Sequence, residues 1–491
     1  MSQVILPILS ASLLSLSFAS FNLWLFAWVG FIPLFIALEN KSLRQAFIIS
    51  FFCGVVFWSL TIYWLIHVTL LGQIVLILYL AVYFGVFGCV VYLSRYFSPA
   101  AVLFFIPSSW VLLEYLRSYL FTGFPWAQVG FSQYKNLPVI QIADVTGSWG
   151  VSFLVVLLNV GFYLALRKRL KAKISLICVC ILFLSLAYGF YRLSYKPALC
   201  FNKEQLKVSV VQGNIPQDLK WDNQAATGIL NNYIELTRAA AKDNPDLVIW
   251  PEASVPVIWG ENVADGQFAQ IFSLAGQLKI NLLLGAVSRS GGDYFNSALF
   301  INNLGQPERM YNKLHLVPFG EYIPFKSTFP FLQTIAPIGD IEPGREYVIF
   351  SHPVDFAVLI CFEDLFPELS REFIKRGARF LVNITNDAWY KRSSAPYQHL
   401  AASVFRAVEN HVYLIRSANT GISGFIDPFG RSLSIIRDVS GNNSFVKGYS
   451  SQNIYLAPIR RTIYNRYGDF FIIFCLAFDS CAIIFFLKKR K

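Results

Sequence analysis

Residues 1–196 are almost continuously apolar, and this run constrains the fold of the chain more than any other feature. Hydrophobic residues make up 55% of the 491 residues and charged residues only 14%, whereas soluble domains carry roughly 25% charged residues. A helix crosses the bilayer core with about 20 apolar residues. The composition therefore predicts a membrane protein and excludes a wholly soluble enzyme.

Eight apolar stretches are each predicted to be a transmembrane helix. They lie near residues 4–18, 21–38, 46–67, 72–94, 99–118, 148–166, 174–193 and 469–487. The chain accordingly divides into a membrane domain of about seven helices at 1–196, an outer domain at 197–468, and a final helix with a basic tail at 469–491.

The positions of the basic residues predict the orientation of these helices. Lys and Arg cluster in the loops after the second, fourth, sixth and last predicted helices, whereas the turns near 19–20 and 68–71 contain neither. Loops rich in Lys and Arg stay in the cytoplasm, so we expect both termini inside and 197–468 outside. Since this pattern locates much of the net charge of +12, we expect no nucleic-acid partner.

Three ionisable residues interrupt the predicted helices. Glu114 and Arg117 are one helical turn apart and are expected to pair. Asp479 is interpreted as the partner of a helix–helix hydrogen bond, although intramembrane carboxylates are also functional candidates. The loop 119–147 contains Trp126, and two interpretations stay open for it: an aromatic belt at the membrane interface or a site of lipid entry.

Residues 206–450 change character, because short β-branched runs alternate with polar, helix-like stretches. This alternation predicts an α/β domain. The predicted strands are 206–212, 246–250, 280–287, 297–302, 355–360, 379–384 and 412–416, and the predicted helices are 223–242, 266–278, 367–376 and 396–410. The five His and eight Cys lack metal-site spacing, so we expect neither a metal nor another cofactor.

Three candidate catalytic residues accompany this pattern. Glu252 follows one predicted strand, Cys361 follows another, and Lys313 lies between them in sequence. A carboxylate can take the proton of a thiol, the thiolate can attack a carbonyl, and an ammonium can stabilise the oxyanion. Residue types alone leave simpler alternatives open: a buried core thiol, a solvated lysine and a carboxylate that begins a helix.

Longer motifs resemble a known family. Residues 250–252 (WPE), 312–313 (NK) and 360–363 (ICFE) resemble the Glu-Lys-Cys signature of the nitrilase, or carbon–nitrogen hydrolase, superfamily. Residues 122–126, 211–217, 316–324 and 383–390 resemble the membrane-integrated apolipoprotein N-acyltransferase family of that superfamily. The likeness covers nearly the whole chain.

The resemblance implies an αββα sandwich in the periplasm, attached to a multi-span domain in the bacterial inner membrane. It implies transfer of an acyl chain from a membrane phospholipid to the N-terminal amine of an S-diacylglyceryl-cysteine in an apolipoprotein, through a thioester on Cys361 and with ping-pong kinetics, as the last step of lipoprotein maturation. Glu252 would then be the base and Lys313 the oxyanion stabiliser.

The resemblance also implies supporting residues. Glu321 and Glu363 match family carboxylates near the catalytic residues, and the family often has Tyr where this chain has Phe362. Further matches on loops around the pocket are Trp221, Asn296, Trp389, Tyr390 and the membrane-loop residue Trp126. For the Trp and Tyr residues of the outer loops, substrate gating and anchoring at the membrane interface both stay open.

Two other functions compete with acyl transfer. One is a membrane-anchored amidase or nitrilase that acts on small amides, and the other is an outer domain that only binds lipoproteins. Seven spans before the domain argue against the first, because one span suffices as a tether. The complete Glu, Lys and Cys set argues against the second.

Overall fold

The structure is a computed structural model, which describes residues 2–169, 172–194, 204–220, 222, 224–261, 265–323, 341–456 and 461–490. The chain forms two compact units. The first contains Met1–Ser194, Ser393–Phe405 and Thr462–Lys491, and the second contains Tyr195–Arg392 and Arg406–Arg461.

The first unit is helical, and six of its helices are long and apolar enough to cross a membrane. The chain is therefore a membrane protein. The six helices are Leu43–Thr61, Leu70–Ser94, Pro99–Tyr119, Ser148–Leu166, Ala172–Ser194 and Phe470–Arg490. Its shorter α-helices are Ser2–Ser17, Ile32–Ala37, Leu137–Ile140, Ala143–Thr146 and Ile463–Tyr467.

The first predicted span is a helix in the structure, Ser2–Ser17, of 16 residues, whereas the second predicted span differs from the structure. The predicted span near 21–38 is wrong as one helix, because a 3-10 helix, Trp24–Trp28, precedes the six-residue helix Ile32–Ala37. Pro33 lies in the first turn of that short helix, where its missing N–H costs nothing, so it begins a new helix. The third predicted span is also shorter than expected and ends at Thr61.

Glu114 and Arg117 interact through their opposite charges, as predicted, and each also binds backbone groups. The Arg117 guanidinium donates to the carbonyls of Phe124 (2.6 Å) and Trp126 (2.7 Å), and the Glu114 carboxylate accepts from the Val129 N–H at 2.7 Å. Irregular backbone buried in a membrane domain must find hydrogen-bond partners. Both charged side chains therefore satisfy backbone groups of the loop 119–147.

Asp479 forms the predicted hydrogen bond between helices. Its carboxylate accepts from the Ser109 hydroxyl at 2.7 Å, and both side chains are buried. The contact joins the helix Phe470–Arg490 to the helix Pro99–Tyr119. A buried carboxylate needs such a partner, because apolar surroundings give it none.

The second unit contains two β-sheets. The strands are β1 Gln205–Gln212, β2 Leu247–Ile249, β3 Asn281–Ser290, β4 Asp293–Ile301, β5 Pro307–Asn312, β6 Phe356–Ile360, β7 Phe380–Thr385, β8 Leu414–Ala418, β9 Gly424–Ile426, β10 Ser432–Leu433 and β11 Gly448–Tyr455. The first sheet has the order β11-β1-β2-β3-β4-β5 and the second has the order β10-β9-β8-β7-β6. Strands β1, β2 and β3 are parallel, as are β6, β7 and β8.

The two sheets pack face to face. The Ser417 hydroxyl on β8 donates to the carbonyls of Val211 and Ile249 in the first sheet (3.0 and 3.1 Å). The helices that accompany the sheets are Ala226–Ala241, Asp265–Leu278, Pro367–Lys375 and Ala395–Asn410. In the last of these helices, the residues up to Phe405 belong to the first unit. The predicted α/β class, its seven strands and its four helices are confirmed, and four strands, β5, β9, β10 and β11, were not predicted.

Candidate active site

The carboxyl ends of several strands bring the candidate catalytic residues together. Glu252 follows β2 closely, Lys313 follows β5 directly, and Cys361 follows β6 directly. Strand β5 pairs antiparallel with β4, which pairs antiparallel with β3, so β5 ends at the same edge of the sheet as β2 and β3. Ligand sites in α/β sheets lie at such carboxyl ends.

The loop of Glu252 is held against β3 at a glycine. The Ser254 N–H donates to the Gly285 carbonyl at 2.8 Å, and the Gly285 N–H donates to the Pro251 carbonyl at 3.2 Å. A Cβ at position 285 would lie 2.6 Å from the Cα of Glu252. Only glycine allows this close approach of two backbone segments, which fixes the position from which Glu252 projects.

Lys313 is the centre of a buried charge network. Its ammonium lies 2.9 Å from a Glu321 carboxylate oxygen and 3.8 Å from a Glu252 carboxylate oxygen. The Asn296 amide bridges the two carboxylates and donates to each at 2.7 Å. Burial by itself lowers the pKa of Lys313, but the charges of Glu321, Glu252 and Cys361 together outweigh burial and raise that pKa. Lys313 therefore stays a cation.

Cys361 occupies a sharp turn between β6 and a 3-10 helix, Cys361–Leu365, with a φ of +53°. Its side chain is 9% exposed, and the Asn383 amide donates to its carbonyl at 3.0 Å. Burial, and then the charge of Glu252, raise the pKa of the Cys361 thiol, while Lys313 opposes the change. The resting thiol is thus neutral, and its reaction requires a base that removes the proton.

Glu363 ties the loop of Cys361 to the segment after Lys313. Its carboxylate accepts hydrogen bonds from the Tyr311 hydroxyl (2.8 Å) and from the N–H groups of Leu314 and Ile360 (2.7 Å each). Burial raises the pKa of Glu363 to about 7, against the effect of these donors. Its protonation state therefore changes near neutral pH.

The aromatic residues predicted near the site differ in exposure. Trp389 is 50% exposed in the 3-10 helix that follows β7. Tyr390 lies in the same turn, where burial first and then the charge of Cys361 raise its pKa. The Phe362 ring lies 5.1 Å from that of Phe366. Trp221 lies outside the described residues, so its predicted role is not tested.

Trp126 belongs to the first unit, whereas Cys361 belongs to the second. Its indole N–H donates to the Gln398 side-chain oxygen at 2.6 Å, and its ring lies 5.0 Å from that of Trp64. Both tryptophans are buried, which contradicts an interfacial anchor at Trp126. A role of Trp126 in substrate binding stays a prediction.

Sequence reasoning assigned no role to the buried Lys220 or to a buried cluster of Asp364, Asp387 and Arg416 in the second unit. The Lys220 ammonium donates to the Glu252 carbonyl at 3.0 Å. The Arg416 guanidinium lies 3.0 Å from Asp364 and 3.7 Å from Asp387, and Asp387 is close enough to Cys361 to raise the pKa of the thiol. The signal was available for Asp364 and Asp387, because both follow the ends of predicted strands.

These groups suit nucleophilic acyl chemistry. A thiol, a carboxylate that can take its proton and a buried ammonium are the required parts. Across the described ranges, no three His, Cys, Asp or Glu side chains are grouped so that they could hold a metal ion.

Comparisons with known proteins agree with the architecture. Residues 10–161 match the apolipoprotein N-acyltransferase N-terminal domain, and residues 207–464 match the carbon–nitrogen hydrolase family. A protein of Geobacter metallireducens named apolipoprotein N-acyltransferase is 38% identical over 99% of this chain and 95% of its own length. The chain belongs to the apolipoprotein N-acyltransferase family.

More distant relatives accompany this match. A Rickettsia prowazekii protein with the same name is 31% identical over 81% of each chain. The crystal structure of Saccharomyces cerevisiae Nit3, of the nitrilase superfamily, has a TM-score of 0.40 and 19% identity, and covers 54% of this chain and 93% of its own. The family match to residues 207–464 identifies the sandwich of the second unit as nitrilase-like.

Proposed function

We propose that this protein transfers an acyl chain from a membrane phospholipid to the N-terminal amine of an S-diacylglyceryl-cysteine in an apolipoprotein. Relatives that cover nearly the whole chain carry the name apolipoprotein N-acyltransferase. The observation that carries the proposal is the network of Glu252, Lys313 and Cys361 in a chain that also has six helices able to cross a membrane.

In the first half-reaction Glu252 takes the proton of the Cys361 thiol, and the thiolate attacks the carbonyl carbon of the phospholipid ester. The Lys313 ammonium stabilises the oxyanion. The bond to the glycerol oxygen then breaks, and that oxygen receives the proton from Glu252. A lysophospholipid leaves, and the acyl chain remains on Cys361 as a thioester.

In the second half-reaction the amine of the lipoprotein attacks the thioester carbonyl. Glu252 takes a proton from the amine, the carbon–sulfur bond breaks, and the proton returns to the thiolate. A covalent intermediate lets two bulky lipid substrates react in turn at one thiol. The amine outcompetes water only where water is excluded, and the burial of Cys361, Lys313 and Glu252 supports this.

The supporting residues fit this scheme. Glu321 and Asn296 hold the Lys313 ammonium and the Glu252 carboxylate in place through short hydrogen bonds. We propose that Trp389 and Tyr390 lie on the route of the lipid, because the Trp389 side chain is half-exposed and the Tyr390 hydroxyl interacts electrostatically with Cys361.

We further propose that the second unit is periplasmic and that both termini are in the cytoplasm of a bacterial inner membrane. The basic loops support this topology. Cysteines introduced separately as Lys168→Cys and Ser440→Cys should react with a membrane-impermeant reagent from opposite sides, measured against the unmodified chain. Labelling of both from one side would contradict the topology.

A turnover assay tests the function. Detergent-solubilised protein is incubated with phospholipid and a synthetic diacylated peptide, and separately with small amides. We expect lysophospholipid and N-acylated peptide to form, with loss of nearly all turnover in Cys361→Ser and none in the matched Cys481→Ala, which changes an exposed free thiol. Release of ammonia from the amides without lipid turnover would indicate an amidase instead.

A further inference from the structure

The loop that follows β1, residues 213–220, lies at the catalytic edge of the first sheet, and the proposed reaction gives it no role. Strand β1 is parallel to β2, so this loop leaves the sheet at the same edge as the loop of Glu252. The Lys220 ammonium at its end donates to the Glu252 carbonyl at 3.0 Å. Whatever holds the loop after β1 therefore also bears on the active site.

Asn419, the first residue after β8, holds this loop from the second sheet. Its side-chain oxygen accepts from the Ile215 N–H at 2.9 Å, and its side-chain amide donates to the Ile215 carbonyl at 2.8 Å. The Asn419 carbonyl accepts from the Asn214 N–H at 3.0 Å. The fully buried Asn419 side chain thus binds both backbone groups of one residue, as a neighbouring strand would.

The same side chain also reaches the loop after β7. The second N–H of the Asn419 amide donates to the Asn386 side-chain oxygen at 3.0 Å, and the Asn386 amide donates to the Gln217 side-chain oxygen at 2.7 Å. Asn386 is the N-cap of the 3-10 turn Asp387–Tyr390. Since Gln217 and Ile215 lie in one loop, these hydrogen bonds form a closed ring, the amide ring of Ile215, Asn419, Asn386 and Gln217.

We propose that Asn419 is a positioning residue for the lipid, which couples the loop after β1 to the turn Asp387–Tyr390 through the amide ring. That turn carries Trp389 and Tyr390, which lie on the proposed route of the lipid. Movement of either loop alone would leave buried amide groups without partners, which is unfavourable, so the two loops keep one relative position. The effect on the lipid rests on the proposed function, whereas the coupling of the loops does not.

Hydrogen exchange of the full-length protein in detergent, followed by peptide mass spectrometry, tests the coupling. Gln217→Ala removes the bond from Asn386 and changes only a partly exposed side chain. We expect the amides of 213–220, and also those of the turn Asp387–Tyr390 on the other sheet, to exchange roughly two- to tenfold faster, as loss of one hydrogen bond implies. Asn419→Ala should have a larger effect on both segments, because it removes three side-chain hydrogen bonds.

The lipid assay tests the positioning role. Asn419→Ala should raise the KM for phospholipid roughly two- to tenfold with a smaller change in kcat, while iodoacetamide should alkylate Cys361 at the wild-type rate. Faster alkylation of this buried thiol would indicate general loosening of the fold and would overturn the positioning role. Asn419→Asp keeps the acceptor for the Ile215 N–H but loses both donated bonds, so its KM should also rise.

Gln277→Ala is the matched control, because it removes the one bond from a glutamine side chain to Ser273 at 2.9 Å on the helix Asp265–Leu278. It should leave the KM and the exchange of both segments unchanged. Faster exchange of 213–220 in Gln217→Ala without any change in the turn Asp387–Tyr390 would overturn the inference, and this variant decides the matter if Asn419→Ala does not fold.

The exchange experiment needs neither phospholipid nor lipoprotein. If the wild-type protein failed to transfer acyl chains, the proposed function would be lost while the coupling of the two loops still stood. Acyl transfer without coupled exchange would remove only the inference about Asn419.

Discussion

The two sheets of the catalytic unit contribute differently to the active site. The first sheet supplies the proposed base, the ammonium and the amide that bridges the carboxylates: Glu252 after β2, Lys313 after β5 and Asn296 on β4. The second sheet supplies the proposed nucleophile, Cys361, after β6. Charges of the first sheet neutralise one another within the reacting centre, whereas those of the second sheet form a separate buried cluster.

That separate cluster is Asp364, Arg416 and Asp387, all almost fully buried. Asp364 lies in the 3-10 helix that begins at Cys361, and Asp387 follows β7. Arg416 thus joins the loop of the nucleophile to the next loop of the same sheet. This difference supports the proposal that the first sheet arranges charges for the reaction, whereas the second sheet uses charges to fix the position of one thiol.

The largest expected effect comes from breaking the cluster of the second sheet. Arg416→Met leaves two buried carboxylates without their cation, and loss of one partner of a buried pair costs about 3–5 kcal/mol. Arg376→Met breaks an exposed pair, with Glu372 at 3.0 Å, and should cost about 1 kcal/mol or less. Thermal melting in detergent measures both, and equal melting temperatures for the two variants would contradict a structural role of the cluster.

The next effect concerns the first sheet. Lys313→Met removes the proposed oxyanion stabiliser and should lower kcat/KM about 10²–10³-fold. Lys313→Met also leaves two carboxylates without their cation, but Glu252 and Glu321 keep hydrogen bonds from the Asn296 amide and are less deeply buried than Asp364 and Asp387. The melting temperature should therefore fall less than in Arg416→Met. The matched variant Lys242→Met should retain activity. A fall of less than tenfold for Lys313→Met would exclude Lys313 as the main stabiliser of the oxyanion.

The smallest effect concerns Glu363, which connects the two sheets. Since burial raises its pKa to about 7, the carboxylate accepts all its hydrogen bonds only above that pH. Protonation below pH 7 removes an acceptor site and loosens the segment after Lys313, so kcat/KM should fall as the pH falls through about 7. This acid limb should be absent in Glu363→Gln, whose side chain is neutral at every pH.

The surface variant Glu372→Gln, which breaks an exposed pair with Arg376, should keep the acid limb. If Glu363→Gln showed the same limb as the wild-type protein, another group would control activity near pH 7.

The strands differ in how well the sequence predicted them, and the sheet order explains why. The interior strands β1, β2, β3 and β7 have apolar, β-branched runs that fit a buried position. So does β6, which is an edge strand of the second sheet but has all its residues buried. The strands β5 and β11 form the two edges of the first sheet. Their sequences are PERMYN and GYSSQNIY. Both are polar, because one side of an edge strand has no neighbouring strand. Neither sequence has the period-2 hydrophobic pattern that predicts a strand.

The same limit applies to the site. Glu252 and Cys361 follow strands that could be predicted, so their proximity could be inferred. Lys313 follows β5, which was not predicted, so its residue type made it a candidate but no predicted strand placed it beside Glu252 and Cys361. Lys220 acts through a backbone carbonyl on another loop, and no periodicity or spacing in a single sequence encodes such a contact.

We propose that the Cys361 thiol, at the end of a strand in the second sheet, carries the acyl chain. Intact-mass spectrometry after incubation with phospholipid alone tests it most directly. We expect the protein to gain the mass of one acyl chain, located on the Cys361 peptide, removed by neutral hydroxylamine and absent in Cys361→Ala. Acyl transfer to the peptide without any adduct before the acceptor is added, or an unchanged adduct in Cys361→Ala, would contradict the covalent mechanism.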